Sequence, residues 1–139
     1  MSENSEQTLF EKYNDEIKKF VTVDEFNMKQ IQMDLPSIRH YWVGRLMFHK
    51  QEVLKLKKLR KQAEQKILEK VKEESPVGLT DATLKQVASN ANHPVLSKID
   101  EQIAENELLV EYLLKVETNF RSLSYDIKNL IEIVKLETT

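Results

Sequence analysis

Apolar side chains recur at steps of three and four along three stretches of the chain, the period of a helix buried along one face. The first stretch opens at Thr8. Thr8, Leu9, Phe10 and Glu11 fit a capping box, in which a hydroxyl and a carboxylate each accept an orphan backbone N–H. Phe10, Tyr13, Ile17 and Phe20 follow at helical spacing. The β-branched run Val21, Thr22 and Val23 is expected to end this helix. Phe26 to Asp34 shows no clean period and reads as a connector, and residues 1–6 are expected to be mobile.

The second stretch is long. Pro36 suits the first turn of a helix, where its missing N–H costs nothing. Ile38, Trp42, Leu46, Val53, Leu56, Ala63, Ile67 and Val71 then follow, until Pro76 and Gly78 stop the pattern. A helix from Pro36 to about Glu74 would run roughly 58 Å. Gly44 costs it about 1 kcal/mol relative to Ala and is expected to mark a close helix contact.

The third stretch starts near Pro94, after a connector from Ser75 to His93 that has room for a short helix at Thr83–Ser89. Its stripe is Leu96, Ile99, Ile103, Val110, Leu113, Phe120, Ile127, Ile131 and Val134, widened by Leu109, Tyr112, Val116, Leu123 and Leu130. From Pro94 to Glu137 this helix would span roughly 66 Å. It either breaks near Ser122–Ser124, folds back on the second helix as a hairpin, or is covered by other subunits. The last is the expectation, with Val110, Leu113, Phe120, Ile127 and Ile131 at the interface.

The predicted fold class is all-α: an elongated subunit with two long helices, oligomerising through a C-terminal coiled-coil-like helix. Four segments follow: an acidic helix and connector (1–34), a long basic helix (35–74), a connector (75–93) and an oligomerisation helix (94–139). Composition agrees. The length of 139 residues suits one domain, and Gly and Pro number only 2 and 3, too few for a fold of many short strands. With no Cys, disulfides, thiolate metal sites and Cys nucleophiles are excluded. No signal sequence is visible, and no run approaches the ~18 apolar residues of a membrane span, so a soluble, intracellular protein is expected.

Charge adds the functional signal. The net charge of −2 hides an uneven distribution: residues 45–72 carry ten Lys/Arg against Glu52, Glu64 and Glu69, whereas residues 1–34 and 73–139 are net acidic. At about 100° per residue, Lys50, Lys57, Lys58, Lys61 and Lys72 fall within one third of the helix circumference, beside the apolar face, and Lys55 and Lys66 widen the set. Such a row attracts phosphates and releases counterions without reading sequence. The same pattern also describes a solvated lysine-rich face. Arg60 lies within the apolar arc and is expected to pair across an interface. Aromatics that would stack on bases are nearly absent from the segment, with only Trp42 and Phe48 at its near end.

Catalysis finds no support. No phosphate-binding glycine loop, nucleophile elbow or H-E-x-x-H pattern occurs. His40, His49 and His93 stand singly, and His49, between Leu46 and Val53 on the apolar stripe, reads as a packing residue. Neither a metal nor a cofactor is expected, and the protein is not expected to be an enzyme.

Several stretches together resemble the UvsY-type recombination mediators of tailed phages. Arg121, Tyr125, Ile127, Lys128, Asn129 and the apolar close around Leu130, Ile131 and Glu132 are similar to that family's C-terminal run. Val110 to Leu114 resembles its valine-tyrosine-leucine stretch, and Leu35 to Trp42 the opening of its long helix. The resemblance extends from about residue 20 onward. One departure falls at Gln65 to Glu73, where the family's tyrosine pair and glycine are missing; Lys66 is the nearest positional candidate for a DNA contact there. The resemblance implies a non-enzymatic accessory factor that binds single-stranded DNA. It also implies partners, a RecA-like recombinase loaded onto strands covered by single-strand binding protein, within the infected bacterial cytoplasm. It implies a closed ring of about six or seven copies. On this reading Lys50, Lys57, Lys58, Lys61 and Lys66 carry the DNA. The rival reading is a non-catalytic helical scaffold acting only through protein contacts.

Overall fold

The structure is a computed structural model that describes residues 6–74, 80–88 and 93–138. Its elements are α1 (Leu9–Val21), α2 (Met28–Glu74), α3 (Asp81–Ala88) and α4 (Pro94–Thr138), and no strand occurs among the described residues. The expectations placed on residues 1–5, on Pro76 and Gly78 as stops, and on Ser89 lie outside the described residues.

α1 begins where the sequence predicts. Thr8 Oγ1 accepts from the Glu11 N–H at 3.2 Å, and the Glu11 carboxylate accepts from the Thr8 N–H at 3.3 Å. Its end is also as expected: Thr22 leaves the helix in an extended conformation, and its hydroxyl donates to the Lys18 carbonyl at 2.8 Å.

The beginning of α2 corrects the sequence reading. The supposed connector is helical from Met28, and Pro36 stands inside the helix. Asp24 Oδ1 accepts from the backbone N–H groups of Phe26 and Asn27 at 2.8 and 2.9 Å, and Asn27 Oδ1 accepts from the Asp24 N–H at 2.8 Å. These bonds close a tight polar turn, and the Ile31 N–H then donates to the Asn27 carbonyl at 3.0 Å, starting the helix. Pro36 deprives the Gln32 carbonyl of its helical donor, a cost of ~3 kcal/mol in a helix interior. Burial of Met28, Ile31, Leu35 and Ile38 offsets it, at about 1.5–3 kcal/mol for each fully buried side chain. Gly44 marks no close contact: a Cβ there would meet nothing within 4 Å.

The chain forms two compact units, Met1–Arg45 with Tyr112–Thr139, and Leu46–Glu111. Both long helices run through the two units. In the first unit, Tyr13 and Ile17 of α1, Leu35, Ile38 and Trp42 of α2, and Leu113, Val116 and Phe120 of α4 are buried. Met28, Ile31 and Ile127 form a cluster packed against Val23, Leu123, Ile131 and Val134. Phe10 meets Tyr112 edge to face at 4.7 Å, and Arg39 Nη2 donates to Glu117 Oε1 at 2.7 Å. In the second unit, Leu46, His49 and Val53 of α2 and Leu96 and Ile99 of α4 are buried.

α4 is unbroken, including Ser122–Ser124. Within the chain it packs back on α2, so the hairpin is the outcome the structure shows. Phe120 and Ile127 are completely buried and Leu113 nearly so. The need for a second subunit to cover them therefore falls away. Val110 and Ile131 are half-buried. The apolar side chains that α4 leaves in solvent are others, among them Tyr125, Ile133 and Leu136 at 67%, 50% and 76% exposure.

Candidate nucleic-acid interface

The second unit holds every lysine singled out from the sequence. α2 places its positions Leu46, His49, Val53, Leu56 and Arg60 toward α4, because steps of three and four keep them on one face. Lys50, Lys57, Lys58 and Lys61 are all exposed. Spacings of seven and four residues put Lys50, Lys57 and Lys61 on one side of the buried stripe, with Lys58 next to them. Lys72 continues this row and is exposed. Among the described residues, Lys50, Lys58 and Lys61 form no ion pair. Lys57 has one, to Glu107 at 3.5 Å, with both side chains more than half exposed. Such a surface pair contributes about 0–1 kcal/mol, little enough for a phosphate to displace the carboxylate. Ammonium groups already in water lose little solvation on meeting a phosphate backbone, and the counterions released drive the contact.

Lys66 does not join this row. Five positions beyond Lys61 it points about 140° away around the helix. It lines a largely apolar groove of ≈ 730 Å³ between α2 and α4, together with Leu59, Ile67, Val95 and Lys98. Lys98 of α4 lines the same groove, a neighbourhood that its local sequence does not mark.

Other charged side chains of α2 serve the fold. Arg60 pairs with Asp100 and with Glu64, as its position in the apolar arc predicts. The hydrogen bond from Arg39 to Glu117 holds that guanidinium above its ordinary value, against the opposing effect of burial. His49 is 1% exposed, and its Nδ1 lies 2.9 Å from Asn106 Oδ1. Asn106 Nδ2 donates to the Gln102 carbonyl at 2.9 Å, which leaves Oδ1 to accept from the His49 Nδ1–H. His49 is thus a hydrogen-bonded packing residue. Among the described residues no three His, Asp or Glu side chains gather where they could hold a metal ion. No described helix is long and apolar enough to cross a membrane.

The fold is that of solved structures of the bacteriophage T4 recombination mediator protein UvsY. One crystal form (lattice type IV) superposes with a TM-score of 0.77 at 18% identity, covering 94% of this chain and 99% of the T4 chain. A second (lattice type II) gives 0.75 at 16% identity, covering 96% and 100%. At such identities the likeness is one of fold, extending over nearly the whole length of both chains. No family model and no curated protein matches the sequence.

Proposed function

We propose that this protein is a recombination mediator: it binds single-stranded DNA and promotes loading of a RecA-like recombinase onto strands covered by single-strand binding protein. The observation that carries the reading is the coincidence of two features. The fold matches that of a recombination mediator end to end, and the same chain bears a row of exposed lysines in its second unit. The row suits a sequence-independent phosphate contact, which a mediator needs on any strand. The protein acts without catalysis, metal or cofactor, in the cytoplasm of an infected bacterium. Copies associate into a ring, so that weak contacts on each subunit add through high effective concentration along one strand.

The test is fluorescence anisotropy of a labelled single-stranded oligonucleotide over a salt series. The parent should bind tightly and lose affinity steeply with salt. A variant carrying Lys57→Glu, Lys58→Glu and Lys61→Glu should bind more weakly on all sequences. The slope of log K against log salt should flatten by about 0.7 for each phosphate no longer neutralised by a lysine. A parent that binds no strand at any salt concentration is instead a protein-only scaffold. A triple variant that binds like the parent moves the DNA site off this face.

A further inference from the structure

The basic segment lacks aromatic side chains interleaved with its cations, yet the first unit assembles such a combination in space. A groove of ≈ 510 Å³ runs between α1 and α2, lined by Glu16, Lys19, Phe20, Ser37, Tyr41 and Trp42. Three of these side chains are aromatic. They come from two helices, so no single stretch of sequence announces a stacking site. Tyr41 is 47% exposed, so a face or edge of its ring is open to a ligand.

The platform is packed from behind by neighbouring side chains. Trp42 is only 3% exposed, and Tyr13 and Tyr41 meet it edge to face, each with centroids 5.2 Å away. The Arg45 guanidinium sits 4.5 Å from the centre of the Tyr41 ring and 5.4 Å from that of Trp42. A cation over a ring face adds attraction and fixes the ring. The Trp42 indole N–H is buried away from solvent, so the platform offers a ligand its ring faces rather than this donor.

The charge of the groove narrows the ligands it suits. Glu16 and Lys19 contribute opposite charges to the lining, and the Arg45 guanidinium beside it is already engaged by the Tyr41 ring and hydroxyl. A flat, neutral group with a π-face and carbonyl acceptors fits such a lining. It would stack on Tyr41 or Phe20 and find a hydroxyl at Ser37. Its sugar-phosphate would extend past the Lys19 ammonium.

We infer that the groove between α1 and α2 is a base-stacking subsite for single-stranded DNA, with Tyr41 and Phe20 as the stacking faces and Trp42 as the ring that backs them. The inference rests on the reading of the protein as a single-strand binder, and extends it from phosphate contact to base contact. Because every base has a π-face, such a subsite adds affinity without demanding a particular sequence.

Trp42 is the single tryptophan of the chain and lines this groove, so tryptophan emission arises at the proposed subsite. The full-length protein is titrated with end-labelled oligothymidylate, and with an abasic oligomer of equal length that keeps the phosphates and lacks the bases. Anisotropy of the label reads binding, and Trp42 emission reads the groove. Oligothymidylate should bind and change Trp42 emission saturably, whereas the abasic oligomer should bind more weakly and leave it unchanged. Phe20→Ala and Tyr41→Ala should each weaken oligothymidylate binding about fivefold or more, the effect of losing one stacked base. These variants should bind the abasic oligomer like the parent. Binding of oligothymidylate with unchanged Trp42 emission overturns the subsite and leaves the single-strand reading intact. An equal emission change with the abasic oligomer likewise overturns it. Absence of anisotropy change with either oligomer overturns both.

Discussion

Arg60 Nε donates to Asp100 Oδ1 at 2.6 Å, joining α2 to α4 within the second unit. A second contact, from Nη2 to Asp100 Oδ2 at 3.3 Å, makes the pair two-pronged, and Glu64 of the next turn takes Nη1. The Arg60 side chain is 24% exposed, so this guanidinium is committed to the helix interface, whereas Lys57 reaches α4 only through a solvent-exposed pair with Glu107. The basic segment therefore holds cations of two kinds, separated by their position relative to the apolar stripe.

Replacing Arg60 should accordingly affect folding before DNA binding. Arg60→Ala leaves Asp100 facing the interface without its partner and should cost about 1–2 kcal/mol, since hydrogen bonds to charged groups contribute more than neutral ones. Arg60→Lys should recover only part of this, because an ammonium cannot match both carboxylate oxygens. Urea unfolding of both variants reads the cost as a lowered midpoint at unchanged slope. A midpoint equal to the parent's for Arg60→Ala means that the pair contributes nothing.

The His49–Asn106 bond gives a sharper test of a buried polar pair. His49→Leu leaves the Asn106 carbonyl oxygen facing an apolar side chain and should cost about 1–3 kcal/mol. Asn106→Leu likewise takes the acceptor from the His49 Nδ1–H. The double variant removes both needs together and should be more stable than the sum of the two single losses predicts. A double-mutant cycle built from four urea midpoints measures the difference. Strict additivity would show that the hydrogen bond carries no coupling.

How far the fold was legible depends on how local its causes are. The start of α1 could be read from four consecutive residues, because Thr8 and Glu11 satisfy each other's backbone donors without help from elsewhere. The start of α2 could not, because two signals conflict there. Pro36 is a strong local marker for a first turn, whereas the stripe Met28, Ile31, Leu35 and Ile38 is evidence for a helix only once something is known to cover it. Asp24 and Asn27, whose side chains close the turn before α2, are the local signal that outranks Pro36. The expected interface rests on the length and breadth of the α4 stripe, Ile127 and Ile131 included, with Met28 and Ile31 placed in a connector. In the structure the two sets cover each other. The row of lysines was legible because periodicity alone places it. The groove around Trp42 was not, since it needs the packing of α1 on α2.

An alkaline titration should reveal the packing of α4 on α1. Burial pushes the Tyr112 phenol above the ordinary tyrosine value of 10.0. The fold holds the neutral form, so as pH rises past that ordinary value the unfolded chain loses its proton first. The unfolded state then binds fewer protons, and stability falls with rising pH. This contribution is fully present below the unfolded value and lost as pH climbs through the folded one. Tyr112→Phe keeps the ring against Phe10 and has no proton to lose. Between about pH 9 and about pH 11 the parent should lose more stability than the variant, read as a shift of its urea midpoint relative to the variant's. A difference between the two midpoints that is independent of pH would mean that Tyr112 titrates alike in both states.

The proposed self-association can be tested at the apolar side chains the chain leaves uncovered. Phe120 and Ile127 are buried within the first unit, so substituting them tests folding. Phe120→Asp buries an unpaired carboxylate and should unfold the protein, a loss above about 4 kcal/mol. Tyr125, Ile133 and Leu136 are different. Spacings of eight and three residues put them on one side of α4, turned away from the stripe that holds Phe120 and Ile127. Apolar surface removed from water yields roughly 25 cal/mol per Å², so a repeated contact through these side chains can outweigh the entropy lost on association. Light scattering at micromolar protein should give a mass above that of one chain. Ile133→Asp with Leu136→Asp should reduce it to the monomer while leaving helicity and the urea midpoint near the parent's, because no buried group is touched. A parent that scatters as a monomer removes the ring from the proposal. A double variant that keeps the parent's assembled mass moves the interface to another exposed face, and the strand would then be gathered by subunits arranged differently from the way α4 suggests.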